Sequence, residues 1–287
     1  MEMEWIDRLN QAISYMEEHL TEEISYEELG HIAHCSSYHF QRMFGYIAGV
    51  SLSEYIRRRK MSLAAVDLRN GEKVIDVALK YGYSSPTAFH RAFQSVHGHN
   101  PSQLKGSEVY TKSYPPLTFK LTIKGAEEMN YRIEKKDAIR VVGVSCPMFK
   151  DLEQNFRNIP QTWDKAAESG LLEKLPQMMD TEMDGVLGVC ACEGDESQWK
   201  YYISVATTQS ADGLEEYVIP AATWAIFQGN TGNGPRAKAI QELEQRIVTE
   251  WLPTSGYSYA NGPDIEVYLD ANESNMNFEI WIPVNKK

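Results

Sequence analysis

A chain of 287 residues is long for one ordinary domain and suits two, each with a core of its own. Its 28 Lys and Arg against 40 Asp and Glu make it acidic, which counts against nucleic acid as a partner until the charge is divided along the chain. No apolar run approaches a membrane span, the Met1-Glu2-Met3-Glu4 start is unlike a secretory signal, and four cysteines without a CxxC pair read as buried free thiols of a soluble, cytoplasmic protein rather than disulfides or a metal site.

Divided, the acidity belongs mainly to the C-terminal part. Residues 1–107 hold 11 Lys and Arg against 13 Asp and Glu, leaving 17 against 27 for the rest. Phosphate binding by the first part therefore has to rely on a local cluster, such as Arg57, Arg58, Arg59 and Lys60.

Trp5, Ile6, Leu9, Ala12, Ile13 and Met16 recur at helical spacing and predict a first helix ending near Leu20. Ser25 with Glu28 is a capping box that opens a short helix carrying Leu29, Ile32 and Ala33. A turn at Cys35-Ser36 leads to a helix with Phe40, Met43, Phe44 and Ile47 as its buried stripe and Ser37, Tyr38, Gln41 and Arg42 on the opposite, polar face. Ser51 with Glu54 caps a rod that runs to Asn70-Gly71, about 19 residues and roughly 28 Å long. The plan then repeats. Val74, Ile75, Ala78 and Leu79 mark a scaffold helix, Gly82 a turn, and Ser85 to Val96 a helix with Phe89, Ala92, Phe93 and Val96 inward and Thr87, His90, Arg91 and Gln94 outward.

Each half is a helix-turn-helix layout, and the rod separates them by something near the roughly 34 Å turn of B-DNA, so one monomer can address two consecutive major-groove faces. His31, His34, His39, His97 and His99 do not cluster with carboxylates or cysteines at metal-ligand spacing.

Lys60-Met61, Ala64, Ile75-Asp76-Val77-Ala78, Gly82-Tyr83, Phe89, Phe93, Gly98 and Asn100-Pro101 resemble the signature of the AraC/XylS family of transcription regulators, over about Trp5 to Leu104. The resemblance implies that the two outward faces contact promoter DNA: Ser37, Tyr38, Gln41 and Arg42 in the first half, Thr87, His90 and Arg91 in the second. Arg58 then serves as a phosphate contact. Arg suits guanine and Gln suits adenine. Pro86 sits in the first turn of the second helix, which tolerates proline, and removes a side-chain donor there.

Residues 108–130 read as a connector with one strand, because Leu117, Phe119, Leu121 and Ile123 alternate with polar residues after Tyr114-Pro115-Pro116. Residues 131–287 show a second duplication. Its first copy is a strand (Ile139 to Ser145), a helix (about Pro160 to Glu173) and two strands (Gly185 to Cys192, Tyr201 to Thr207). The second copy is a strand (Thr223 to Gln228), a helix (about Pro235 to Trp251) and two strands (Ile265 to Leu269, Phe278 to Pro283). The expected architecture is thus an all-α double helix-turn-helix domain, residues 1–107, followed by an α+β duplicated βαββ domain with both helices on one sheet face.

Strand alternation puts Phe278, Ile280 and Ile282 toward the helices and Glu279 and Trp281 away from them. Reading Ile265, Val267 and Leu269 the same way leaves Glu266 and Tyr268 on the uncovered face, together with Tyr202 and Trp224. A carboxylate among aromatic rings recognises lipophilic cations through charge and cation–π attraction. Gly229-Asn230-Thr231-Gly232-Asn233-Gly234 lacks the spacing and the Lys-Ser/Thr of a phosphate loop and reads as a flexible turn.

The strings Ile219-Pro220-Ala221-Ala222-Thr223-Trp224-Ala225, Trp251-Leu252-Pro253, Asp264-Ile265-Glu266-Val267-Tyr268 and Glu279-Ile280-Trp281-Ile282-Pro283 resemble the GyrI-like effector-binding domain. That resemblance implies an aromatic cleft for drug-like, often cationic molecules with its glutamate at Glu279. The expected protein is a one-component transcription regulator needing no cofactor and no membrane. Its partners are double-stranded promoter DNA, a small lipophilic or cationic effector, and RNA polymerase. Two alternatives stay open: a small-molecule hydrolase in which Glu279 activates water with Tyr202 or Tyr268 assisting, and a drug-sequestering protein without regulation.

Overall fold

A computed structural model describes residues 5–104, 109–120, 128–149, 152–192, 196–210, 212–232, 235–269 and 276–287. By packing, the chain divides into one unit of Met1–Ala33 with Phe40–Lys120 and a second of His34–His39 with Leu121–Lys287.

The helical unit follows the apolar periodicity closely. It contains α1 (Trp5–Glu18), α2 (Tyr26–Ala33), α3 (Ser37–Ala48), α4 (Leu52–Arg69), α5 (Val74–Lys80) and α6 (Pro86–His97). The Glu28 amide donates to Ser25 Oγ at 3.2 Å and the Glu54 amide to Ser51 Oγ at 3.2 Å, so both anticipated N-caps form. The rod α4 has 18 residues, about 27 Å at 1.5 Å per residue. Between α5 and α6, Gly82 takes a left-handed φ of 82°, which a side chain would resist.

Phe40, Met43 and Phe44 of α3 are buried, as are Phe89, Phe93 and Val96 of α6. The α6 stripe packs with Met61, Ala64, Ala65 and Leu68 of α4 and with Val77 and Ala78 of α5 in one apolar core. Ile75 and Leu79, expected in that core, are exposed, because a seven-residue helix buries only the stripe containing Val77 and Ala78. Residues 109–120 form no strand. Leu121 and Ile123, the rest of the expected connector strand, lie outside the described residues.

In the second unit β1 (Tyr131–Lys136) and β2 (Ile139–Pro147) precede α7 (Leu152–Glu168) and the single-turn α8 (Leu171–Lys174). Then come β3 (Val186–Ala191), β4 (Lys200–Ala206), β5 (Glu215–Ile219), β6 (Ala222–Asn230), α9 (Arg236–Arg246), β7 (Tyr257–Tyr259), β8 (Asp264–Tyr268) and β9 (Asn277–Lys286). The main sheet runs β1-β6-β9-β8-β3-β4-β2-β5, and β7 pairs with β9.

The duplication is one strand longer than its expected βαββ form. Each copy is two strands, a helix and two further strands, and its leading strand pairs with the other copy: β1 lies on β6, and β5 lies on β2. Exchange of the leading strands ties the two copies into one sheet. Two helix boundaries also differ from expectation. Pro160 stands inside α7, which starts eight residues before it, and α9 ends at Arg246, continued by a π-type turn over Ile247–Trp251.

Candidate functional site

Register decides which residues share a face of this sheet. Ile265 lies opposite Trp281 and Val267 opposite Glu279, so Glu266 and Tyr268 share the other side with Ile280 and Phe278. The six residues expected around one cleft therefore fall into two groups. Glu279, Trp281, Trp224 and Tyr202 are on one face; Glu266 and Tyr268 are on the face that carries α7 and α9. The error has a physical source. Ile265 and Val267 are buried in a second core with Val141, Leu187, Val189, Tyr202, Trp224, Ile226 and Trp281, so both sheet faces are apolar and alternation cannot tell them apart.

On the first face Glu279 is buried and already neutralised. Arg132 of β1 donates to both of its carboxylate oxygens, at 2.7 and 3.2 Å, and Trp281 Nε1 donates at 2.8 Å. Trp224, fully buried, lies with its ring 6.0 Å from that of Trp281. Tyr202 stacks on Tyr217 at 5.1 Å. It stands three strands from β9, about 14 Å along the sheet, so Glu279 and Tyr202 do not form the pair that hydrolysis would need. Tyr268, the other assistant considered, is on the opposite face.

On the helix-bearing face a different carboxylate gathers the rings. Tyr201 donates to Glu266 Oε2 at 3.3 Å, and Tyr268 donates to the same oxygen. Trp163 of α7 donates from Nε1 to the Tyr201 hydroxyl at 3.0 Å and meets the Tyr268 ring edge to face, with centroids 5.0 Å apart. The Arg236 guanidinium, from the first residue of α9, lies 4.8 Å from the Trp163 ring centroid and 4.9 Å from that of Tyr268.

Gly188 on β3 makes room for this group. A Cβ there would come within 2.2 Å of the Tyr201 hydroxyl and 3.1 Å of Glu266 Oε2. Burial first, and then the negative charge of Glu266, push the Tyr201 and Tyr268 phenols well above the ordinary tyrosine range. Both stay protonated and available as donors. Sequence reasoning missed Tyr201, Trp163 and Arg236. Tyr201 was passed over for its neighbour Tyr202, and the other two sit on helices whose facing residues only packing reveals.

In the helical unit the expected polar faces differ from each other. On α6, Thr87 and Arg91 are exposed and His90 is half-buried. On α3, Ser37, Tyr38 and Gln41 are only 7%, 4% and 3% exposed, and Arg42 is half-buried with its guanidinium 5.9 Å from the Tyr46 ring. Residues 34–39 belong to the second packing unit.

The basic run on α4 already has partners within the helical unit. At 100° per residue it wraps around the helix. Arg57 and Arg58 both pair with Glu54, Arg59 is buried with two nitrogens on Glu17, and Lys60 donates to the carbonyl oxygens of Tyr81 and Glu22. Burial lowers the Lys60 pKa.

Residues 132–284 match the family model described as integron-associated effector binding protein, and residues 29–107 match a helix-turn-helix domain model. The chain is 24% identical to the transcriptional regulator Rob of Salmonella typhimurium over 97% of its own length and 98% of that protein. It is 33% identical to the regulatory protein SoxS of the same organism, across 32% of this chain and 88% of SoxS. Among solved structures, an integron cassette protein from the mobile metagenome of Vibrio cholerae aligns with 54% of this chain and 95% of its own, at 18% identity and a TM-score of 0.37.

Proposed function

The chain belongs to the integron-associated effector-binding family and is a transcription regulator that joins an AraC-type helix-turn-helix region to an effector-binding domain, and from that premise we propose that its effector is a lipophilic cation held at Glu266. The supporting observation is the grouping of Glu266 with Tyr201, Tyr268 and Trp163, a carboxylate bounded by aromatic rings. Such a site attracts a cation by charge and by cation–π contact, the latter contributing about 0.5–2 kcal/mol per ring. Glu279 offers less, because Arg132 already satisfies it. On this reading DNA contacts come from Thr87, His90 and Arg91 of α6 and Arg42 of α3, and effector binding alters transcription by RNA polymerase through a difference in affinity between two states of the regulator.

Calorimetric titration with tetraphenylphosphonium tests the site. Glu266→Gln is expected to weaken binding at least tenfold, the equivalent of about 1.4 kcal/mol, while Glu279→Gln stays within threefold of the parent. The reverse order of effects moves the site to the other sheet face.

A second reading draws on the same residues. A carboxylate beside two protonated phenols is also what hydrolysis requires, one group to activate water and another to protonate the leaving group. Turnover of a nitrophenyl ester that disappears in Glu266→Gln would favour that reading, whereas a sensor returns its ligand unchanged.

A further inference from the structure

Arg236 opens α9 at a place where a cation is poorly suited. The positive end of a helix dipole lies there, the first turn holds no acidic residue, and Pro235 supplies no side-chain cap. The guanidinium is held instead by rings. Trp163 and Tyr268 meet at 82°, so their faces make a corner, and Arg236 lies within 5 Å of both centroids. Tyr268 in turn donates to Glu266. A positive group therefore already occupies the aromatic surface of the proposed effector site.

We infer that Arg236 is an internal surrogate for the effector's cation, seated in the Trp163–Tyr268 corner and displaced when a lipophilic cation enters. The inference rests on the reading of the Glu266 site given above. It adds two properties to that site. First, it sets selectivity, because a ligand has to replace a cation–π contact in order to bind, and an uncharged aromatic of equal size brings no charge to do so. Second, it links the site to the backbone. Once Arg236 leaves the rings, the uncapped first turn of α9 loses a tether, and a ligand's preference for the displaced state becomes a preference for a shifted α9.

The test uses the full chain and tetraphenylphosphonium, with Arg236→Gln, Arg236→Lys and Arg236→Ala, each verified as folded by its circular dichroism and thermal transition. Arg236→Gln is expected to bind the probe about tenfold more tightly than the parent, since the competitor is gone, and Arg236→Lys is expected to lie between the two. In Arg236→Ala, added methylguanidinium should compete with the probe, while the parent shows no such competition. Unchanged or weaker binding by Arg236→Gln overturns the inference, as does the absence of methylguanidinium competition in Arg236→Ala. The Glu266→Gln variant separates this failure from that of the underlying site. If Glu266→Gln loses affinity while Arg236→Gln gains none, only the surrogate role falls; if Glu266→Gln binds like the parent, the site itself is misplaced.

Discussion

Gly188→Ala is the substitution whose consequence the structure specifies most closely. The added methyl would stand 2.2 Å from the Tyr201 hydroxyl and 3.0 Å from Tyr201 Cζ, both well inside contact distance. Tyr201 cannot give way cheaply, since its side chain is buried, its hydroxyl donates to Glu266, and Trp163 donates to it. Overpacking of this kind costs about 1–3 kcal/mol, and loss of the bond to an ionised carboxylate about 1.5–3 more. Relaxation removes part of that sum, leaving about 2–4 kcal/mol.

In a protein of this size each kcal/mol lowers the melting temperature by about 2–4 °C, so the variant should melt on the order of 4–15 °C below the parent. Scanning calorimetry of the full chain reads the shift. Tyr201→Phe in the same background provides the stringent check, because it removes the atom in closest conflict. The double variant should be less destabilised than the two single changes combined, by at least 1 kcal/mol. Additive losses, or a Gly188→Ala melting temperature equal to that of the parent, would show that the β3 glycine does not make room for the Tyr201–Glu266 contact.

On DNA, Arg42→Ala should relax base preference and weaken specific binding by about 1–3 kcal/mol, whereas Arg58→Ala, whose guanidinium is engaged by Glu54 and lies over the Tyr114 ring, should change little beyond the salt dependence; competition footprints on specific and random DNA distinguish them. His97 supplies a pH prediction. Its burial lowers its pKa, so below the unfolded value of about 6.5 the unfolded chain takes up a proton that the folded state resists. Stability around α4 and α6 should therefore be full above about pH 7 and fall as pH drops through 6.5. Hydrogen exchange of those amides should show this loss, and His97→Gln should flatten it.

The helical unit was legible because its elements carry local signals. Ser25 and Ser51 each cap a helix with a glutamate three residues on, Gly82 marks the turn, and the Phe40 and Phe89 stripes have one buried side and one polar side. What failed there was exposure. Whether Ser37, Tyr38 and Gln41 meet solvent, or whether Arg59 turns inward to Glu17, depends on residues distant in the chain.

The sheet domain shows the same division at the site itself. Local sequence was enough to mark a duplicated strand and helix pattern, and to single out a glutamate among aromatic rings. It could not choose between Glu266 and Glu279, because both sheet faces are buried and the two alternations look alike. Nor could it reveal that β1 and β5 exchange partners, since both are short, half-polar strands with no signal of their own. Periodicity, caps and turns are properties of a few consecutive residues, and the sequence by itself determined those. The register of Ile265 against Trp281, and the approach of Trp163 and Arg236 to Tyr268, join residues from separate elements, and only the tertiary structure decided them.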